Sequence, residues 1–196
     1  MRIIGITGGV GAGKSELLHY IETHYKARIL LADQVANDLK LPGAICYEPL
    51  VAILGKDVLC EDGTIDKAKM AQIIFHDEGK LALVNALIHP AVKRYILEEI
   101  EKEAAKREVE YFFIEAALLI EEHYEAIVEE LWYIYADEAV RAERLRKSRQ
   151  YSEDRIKSIM AGQLPEQEFR NRCQFVIDNS TTLEEAYLQI DHKMED

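Results

Sequence analysis

With 196 residues, 36 acidic side chains against 24 basic ones and a net charge of −12, the chain lacks the cationic surface that nucleic acid or an anionic membrane demands. Hydrophobic residues at 48%, charged residues at 31% and four prolines exclude a disordered chain and describe a globular protein of one domain with insertions. Cys46, Cys60 and Cys173 include no CxxC pair, MRIIGITGG is no signal peptide and no segment approaches about eighteen uncharged apolar residues, so the expected compartment is a reducing cytoplasm.

Arg2–Thr7 (RIIGIT) is an apolar run that ends at glycines and reads as a strand buried on both faces. Gly8-Gly9-Val10-Gly11-Ala12-Gly13-Lys14-Ser15 then satisfies GxxxxGK[ST]. Glycines let main-chain N–H groups curl around phosphate oxygens, and a helix N-terminus adds positive potential. In such a loop Lys14 reaches the β and γ phosphates and Ser15 ligates Mg²⁺. Leu17, Leu18, Ile21 and then Ala27 recur at roughly helical spacing, so the loop joins a strand to a helix. Gly9, Val10, Gly11, Ala12, Gly13, Lys14, Ser15 and Glu16 are therefore the candidate nucleotide contacts.

Arg28–Leu31 reads as a second strand, and Asp33 stands just past it, where parallel α/β sheets place ligand-facing residues. A carboxylate there either accepts a proton from an attacking hydroxyl or caps the following helix. The next 75 or so residues show no obvious strand, too many for one crossover helix, and imply a helical insert at about 33–107. Its punctuation is Pro42-Gly43, then Asp62-Gly63, whose turn chemistry also suits a small hairpin, then His89-Pro90, expected to open a long helix. That helix places Val92, Tyr95, Ile96, Ile100 and Ala104 on one face.

Tyr111–Ile114, Leu131–Tyr135 and Phe175–Ile177 supply three further strands, giving a five-stranded parallel α/β sheet with right-handed crossovers. The core is then 1–32, 108–137 and 173–196, with a helical lid at about 138–172. Glu115, at the end of the third strand, supports Mg²⁺ through water or caps the segment after it. Arg141, Arg144, Arg146, Lys147, Arg149 and Arg155 make the densest basic stretch and read as lid residues that neutralise a transferring phosphate. Residues from about 139 to 151 are expected to be among the more mobile when no nucleotide is bound. Tyr111, Tyr133 and Tyr135 read as core. His19, His24, His76, His123 and His192 fall at no metal-ligand spacing, and no NKxD, strand-end DxxG or GxSxG occurs.

Taken together these segments resemble the dephospho-CoA kinase family over residues 3–180. ITGGVGAGKS is similar to that family's ITGGIGSGKST, LADQVANDLKLPG to DADxIAxxLxxPG, and LGKDVLCEDGTIDKAKMAQIIF to FGxxILxxDGxIDRxxLxxxVF. IHPAV, EAALLIEE and FVIDNS are similar to HPxV, DxPLLFE and VIxN. The resemblance implies a P-loop kinase that uses ATP and Mg²⁺ to phosphorylate the ribose 3′-hydroxyl of dephospho-CoA, acting as a monomer or small homo-oligomer. It further implies Asp33 as general base, Lys14 and Arg144 as catalytic cations, Asn179 as a nucleotide contact, and His89, Glu115, Leu118 and Glu121 in the acceptor region. Leu31, Glu16, Ala117 and Gln174 depart from the family pattern, and Ser148 stands where a second lid arginine is expected, leaving Arg149 or Arg146 to substitute. Another small-molecule or nucleotide kinase on this scaffold, and a nucleotide-binding protein without catalysis, are the rival readings.

Overall fold

The apolar run after Met1 becomes β1 (Arg2–Gly8), buried from Ile4 onward. Around it the computed structural model, which describes residues 1–195, builds a five-stranded sheet in the order β2-β3-β1-β4-β5. Its other strands are β2 (Ala27–Leu31), β3 (Tyr111–Glu115), β4 (Glu130–Tyr135) and β5 (Phe175–Asp178). β1 runs parallel to both β3 and β4, with Ile4 opposite Phe113 and Thr7 opposite Tyr133, and β4 runs parallel to β5. Most strands reach the next through helical crossovers, the usual connection in a parallel sheet, but β3 reaches β4 through turns and a single 3-10 turn at Tyr124–Ala126.

One face of the sheet, carrying Ile4, Ile6, Phe113, Trp132, Ile134 and Ile177, packs against α1 (Lys14–His24) and α9 (Leu183–Glu195). Leu17, Leu18 and Ile21 hold α1 there, each worth roughly 1.5–3 kcal/mol of buried apolar surface. α1 ends at His24, so Ala27 belongs to β2 and not to the helical stripe expected for it; Tyr25 has already turned to extended backbone. Polar braces tie α1 to α9: Tyr20 Oη donates to Asp191 Oδ1 at 2.8 Å and Tyr25 Oη to the same oxygen at 2.6 Å. Desolvation and the Asp191 carboxylate push the Tyr20 phenol up to about 12, and Tyr25 moves the same way. On the opposite face Phe169 of α8 (Glu166–Arg172) stacks on Tyr133, with ring centroids 4.7 Å apart. Tyr133 is the one tyrosine of its expected core trio that is fully buried; Tyr111 and Tyr135 stay partly exposed, and Tyr135 Oη donates to Asp137 at 2.7 Å.

The chain divides into two compact units, one formed by Met1–Leu30 with the chain from Glu103 onward, the other by Leu31–Lys102. The second comprises α2 (Ala32–Asp38), α3 (Tyr47–Leu54), α4 (Lys67–His76) and most of α5 (Glu78–Lys106). Asp66 starts α4 as its N-cap, accepting from the N–H groups of Ala68 and Lys69 at 2.8 and 3.1 Å. The Asp62-Gly63 turn does close a minimal hairpin, a single antiparallel bridge between Leu59 and Ile65.

His89-Pro90 does not open the long helix. α5 begins at Glu78 and runs through Pro90, because Val84, Ile88, Val92 and Ile96 form an unbroken buried stripe at four-residue spacing across it. The missing Pro90 N–H removes one helical bond, which burial on both sides outweighs. Tyr95 and Ala104, expected on the buried face, are exposed.

Candidate active site

The loop after β1 bends back on itself through an Ala12 N–H donated to the Gly9 carbonyl at 3.1 Å. Gly11 and Gly13 sit at φ +85° and +86°, which side chains rarely adopt, and the residues around them leave no room for one. A Cβ on Gly13 would stand 2.4 Å from Asn179 Nδ2. Gly13 is the N-cap of α1 and offers no side-chain cap, so the first N–H groups of that helix face the loop's concavity. Lys14 Nζ donates to the Gly8 carbonyl at 2.7 Å and lies 3.6 Å from Glu115 Oε1, both side chains mostly buried. Ser15 and Glu16 follow on the exposed first turn, with Glu16 directed at solvent.

The loop is gripped from behind by the elements that follow β4 and β5. Asn179, fully buried, takes its register from an N–H donated to Tyr135 O at 2.8 Å and passes Nδ2 to the Ala12 carbonyl, also at 2.8 Å. Its Oδ1 has no hydrogen-bond partner among the described residues, an acceptor left over at the loop's edge. Arg144, on α6 (Glu138–Arg149), donates to Asn179 O at 2.9 Å and to Ala12 O at 3.3 Å. Gly9, Val10, Gly11, Ala12, Gly13, Lys14, Glu115, Arg144 and Asn179 thus form one constellation.

Asp33 and His89 belong to the Leu31–Lys102 unit, Asp33 in the first turn of α2 and exposed, His89 in the middle of α5 and half-buried. The capping alternative for Asp33 fails on position. The N-cap of α2 is Leu31, without a side-chain capping bond, and Asp33 lies two residues inside the helix, where its charge suits the dipole. Near it Lys40 is half-buried, and its pKa falls below the ordinary lysine value through desolvation and the Lys67 charge, opposed by Asp33. Glu115, the last residue of β3, pairs with Lys14, and turns rather than an α-helix follow it. Leu118 and Glu121 stand exposed in the turns after β3.

Neither substitute for the second lid arginine reaches the loop. Arg146 pairs with Glu143 and Glu153 along the helix surface, and the Arg149 guanidinium lies 6.0 Å from the Tyr151 ring. Arg141 does reach it: its Nε donates to Val10 O at 3.0 Å, and its guanidinium fills the space a side chain on Gly9 would need. The sequence holds a signal for it, since Arg141 and Arg144 are three apart and share a helix face, but both ends of the contact are needed to read it. Burial pushes the Cys173 thiol up to about 11 and raises Cys46 as well, which keeps both as thiols near neutral pH. No helix among the described residues is long and apolar enough to cross a membrane.

Comparison with known proteins agrees with this geometry. A dephospho-CoA kinase of Carboxydothermus hydrogenoformans is 34% identical over 96% of this chain and 90% of its own. The crystal structure of TT1252 from Thermus thermophilus superposes with a TM-score of 0.83 at 26% identity, covering 99% of this chain and 96% of that one. A dephospho-CoA kinase structure from Campylobacter jejuni shares the fold, with a TM-score of 0.73 at 19% identity over 100% of this chain and 96% of that one. The sequence profile of dephospho-CoA kinases matches residues 2–185, and with it the chain belongs to the dephospho-CoA kinase family.

Proposed function

We propose that this chain transfers the γ-phosphoryl group of ATP to the ribose 3′-hydroxyl of dephospho-CoA, giving coenzyme A and ADP in coenzyme A synthesis. The observation that carries the reading is the loop itself. It is a ring of main-chain N–H groups at the start of α1, with the Lys14 ammonium held at its mouth between Gly8 O and Glu115, in a chain whose relatives are dephospho-CoA kinases.

Phosphoryl transfer asks mainly for positioning and charge neutralisation. Lys14 and the loop N–H groups stabilise negative charge on the phosphate oxygens, and Arg144 stiffens the Ala12–Asn179 edge on which the nucleotide rests. Asp33 accepts the 3′-hydroxyl proton as the new P–O bond forms, while ADP leaves with the electrons of the bond that breaks. His89, Leu118 and Glu121 serve the acceptor. Segment 138–172 acts as the lid, anchored by α6.

Mg²⁺ fits the donor set. The Ser15 hydroxyl and the Glu115 carboxylate are hard oxygen donors, and among the described residues no cluster of three His, Cys, Asp or Glu forms a protein-only cage. Ser15 would hold the ion directly and Glu115 through water, and the ion when bound supplies charge neutralisation to the phosphates. A coupled ADP-release assay with dephospho-CoA, adenosine and pantetheine as acceptors tests the assignment. Turnover with dephospho-CoA alone is expected; preference for another acceptor makes the chain a different small-molecule kinase.

A further inference from the structure

Arg141 lies across the outside of the phosphate loop and meets it at three consecutive levels. Its guanidinium stands where a Gly9 side chain would be, with Cζ and Nη2 each 2.4 Å from an ideal Cβ there. Its Nε donates to the Val10 carbonyl at 3.0 Å. Its own carbonyl oxygen comes within 2.9 Å of a Cβ built on Gly11. Gly11 is therefore demanded by the Arg141 backbone as well as by its own φ, and a side chain at Gly9 would have to displace the guanidinium.

The guanidinium has one further anchor: Nη2 donates to Oε1 of Gln163. Gln163 belongs to no helix and sits in the turn between α7 (Glu153–Ala161) and α8, fixed by its N–H on the Met160 carbonyl at 3.2 Å, two residues before Pro165, the N-cap of α8. With Nε and Nη2 held from different parts of the chain, the plane of the guanidinium is determined. The choice of acceptor matters. A neutral amide orients the cation without cancelling its charge, whereas a carboxylate would spend that charge in an ion pair. Among the described residues no carboxylate comes within 4.0 Å of the Arg141 guanidinium nitrogens, so its charge remains available beside the loop.

We propose that Gln163 is a positioning residue for nucleotide phosphate, acting through Arg141: it holds an uncompensated guanidinium against Gly9 and Val10 and so links the turn between α7 and α8 to phosphate affinity. The inference rests on the reading of the loop as the ATP phosphate site and adds to it a residue that never touches the nucleotide.

The test is a double-mutant cycle read by calorimetry and kinetics. Kd for ATP and for adenosine, which has no phosphate, KM for ATP, kcat and thermal midpoint are measured for the unaltered chain, Gln163→Ala, Gln163→Glu, Arg141→Ala and the Arg141→Ala/Gln163→Ala pair. Gln163→Ala is expected to weaken ATP about tenfold, as loss of a hydrogen bond to a charged group does. The isosteric Gln163→Glu should weaken ATP further, with adenosine affinity and thermal midpoint unchanged and KM moving more than kcat. In the Arg141→Ala background Gln163→Ala should add nothing. Equal losses for ATP and adenosine, an unchanged ATP Kd in both Gln163 variants, or full additivity in the pair would overturn the proposal. Failure of the unaltered chain to bind ATP would instead overturn the reading of the loop, and this inference with it.

Discussion

Between Gly8 and Ser15 the groups facing the loop's concavity are mostly main-chain N–H groups, and Asn179, Arg141 and Arg144 hold the loop where Gly11 and Gly13, at positive φ, have no room for a side chain. Between Leu31 and Lys102 the candidate residues are single side chains on helices. Asp33 is exposed on α2 and His89 is half-buried on α5, whose buried stripe is formed by Val84, Ile88, Val92 and Ile96. In the first region chemistry and architecture are one constraint; in the second they separate. Function in the second can therefore be removed without disturbing the fold, whereas at Gly11 and Gly13 of the first it cannot.

The largest expected effect is Asp33→Asn. Asparagine keeps the shape and loses the basic carboxylate, so kcat with dephospho-CoA should fall about 10²- to 10⁴-fold. ATP affinity and thermal midpoint should hold, since Leu31 and not Asp33 occupies the N-cap. Retention of more than about a tenth of kcat would remove the general-base role. Lys14→Ala comes next, with a loss of about 10²- to 10³-fold in kcat/KM from the missing charge at the mouth of the loop; full ATP turnover in that variant would show that the loop does not hold the phosphates.

Two glycines with nearly the same φ sharpen the contrast. Gly13 and Gly43 have φ +86° and +84°, but a Cβ on Gly13 meets Asn179 Nδ2 at 2.4 Å whereas one on Gly43 meets nothing within 4 Å. Gly43→Ala should cost stability on the order of 1 kcal/mol from strain alone, with kinase activity intact. Gly13→Ala should cost more and lose ATP binding as well. Denaturant titration beside ATP calorimetry separates the two, and equal behaviour would deny that the loop is specially constrained. Asp66→Ala, which removes the cap of α4, should lower stability by about 1 kcal/mol and leave kcat unchanged.

Smallest is a pH effect confined to the α1–α9 brace. Tyr20, pushed up to about 12, binds its proton more tightly folded than unfolded, so its contribution is complete below about pH 10 and fades as pH rises towards 12. Between about pH 9 and 11 the unaltered chain should lose more stability than a Tyr20→Phe/Tyr25→Phe variant. Equal losses in urea melts would contradict this.

The same division governs what is legible in the sequence. GGVGAGKS announces its geometry because a loop of this conformation accepts few other residues, and the buried strands announce theirs as apolar runs of the right length. The helix through Pro90 is not legible, because proline is a strong local signal while the stripe from Val84 to Ile96 that overrides it is spread over several turns. Arg141 stays hidden for a related reason. A basic run shows that cations are present, but which of them touches the loop depends on contacts with Val10 and Gln163 from distant parts of the chain. Asp33 stands out by its place after a strand and by family resemblance, and His89 by resemblance alone, because a single polar side chain on a helix leaves no periodic signal.

The most direct test of phosphoryl transfer to the ribose 3′-hydroxyl is ³¹P NMR of the reaction mixture, with ATP, Mg²⁺ and either dephospho-CoA or its 3′-deoxy analogue. The account predicts stoichiometric ADP and a new 3′-phosphomonoester resonance with dephospho-CoA, and neither with the analogue. A phosphorylated product from the 3′-deoxy compound, or no product from dephospho-CoA while ATP binds tightly, would contradict it.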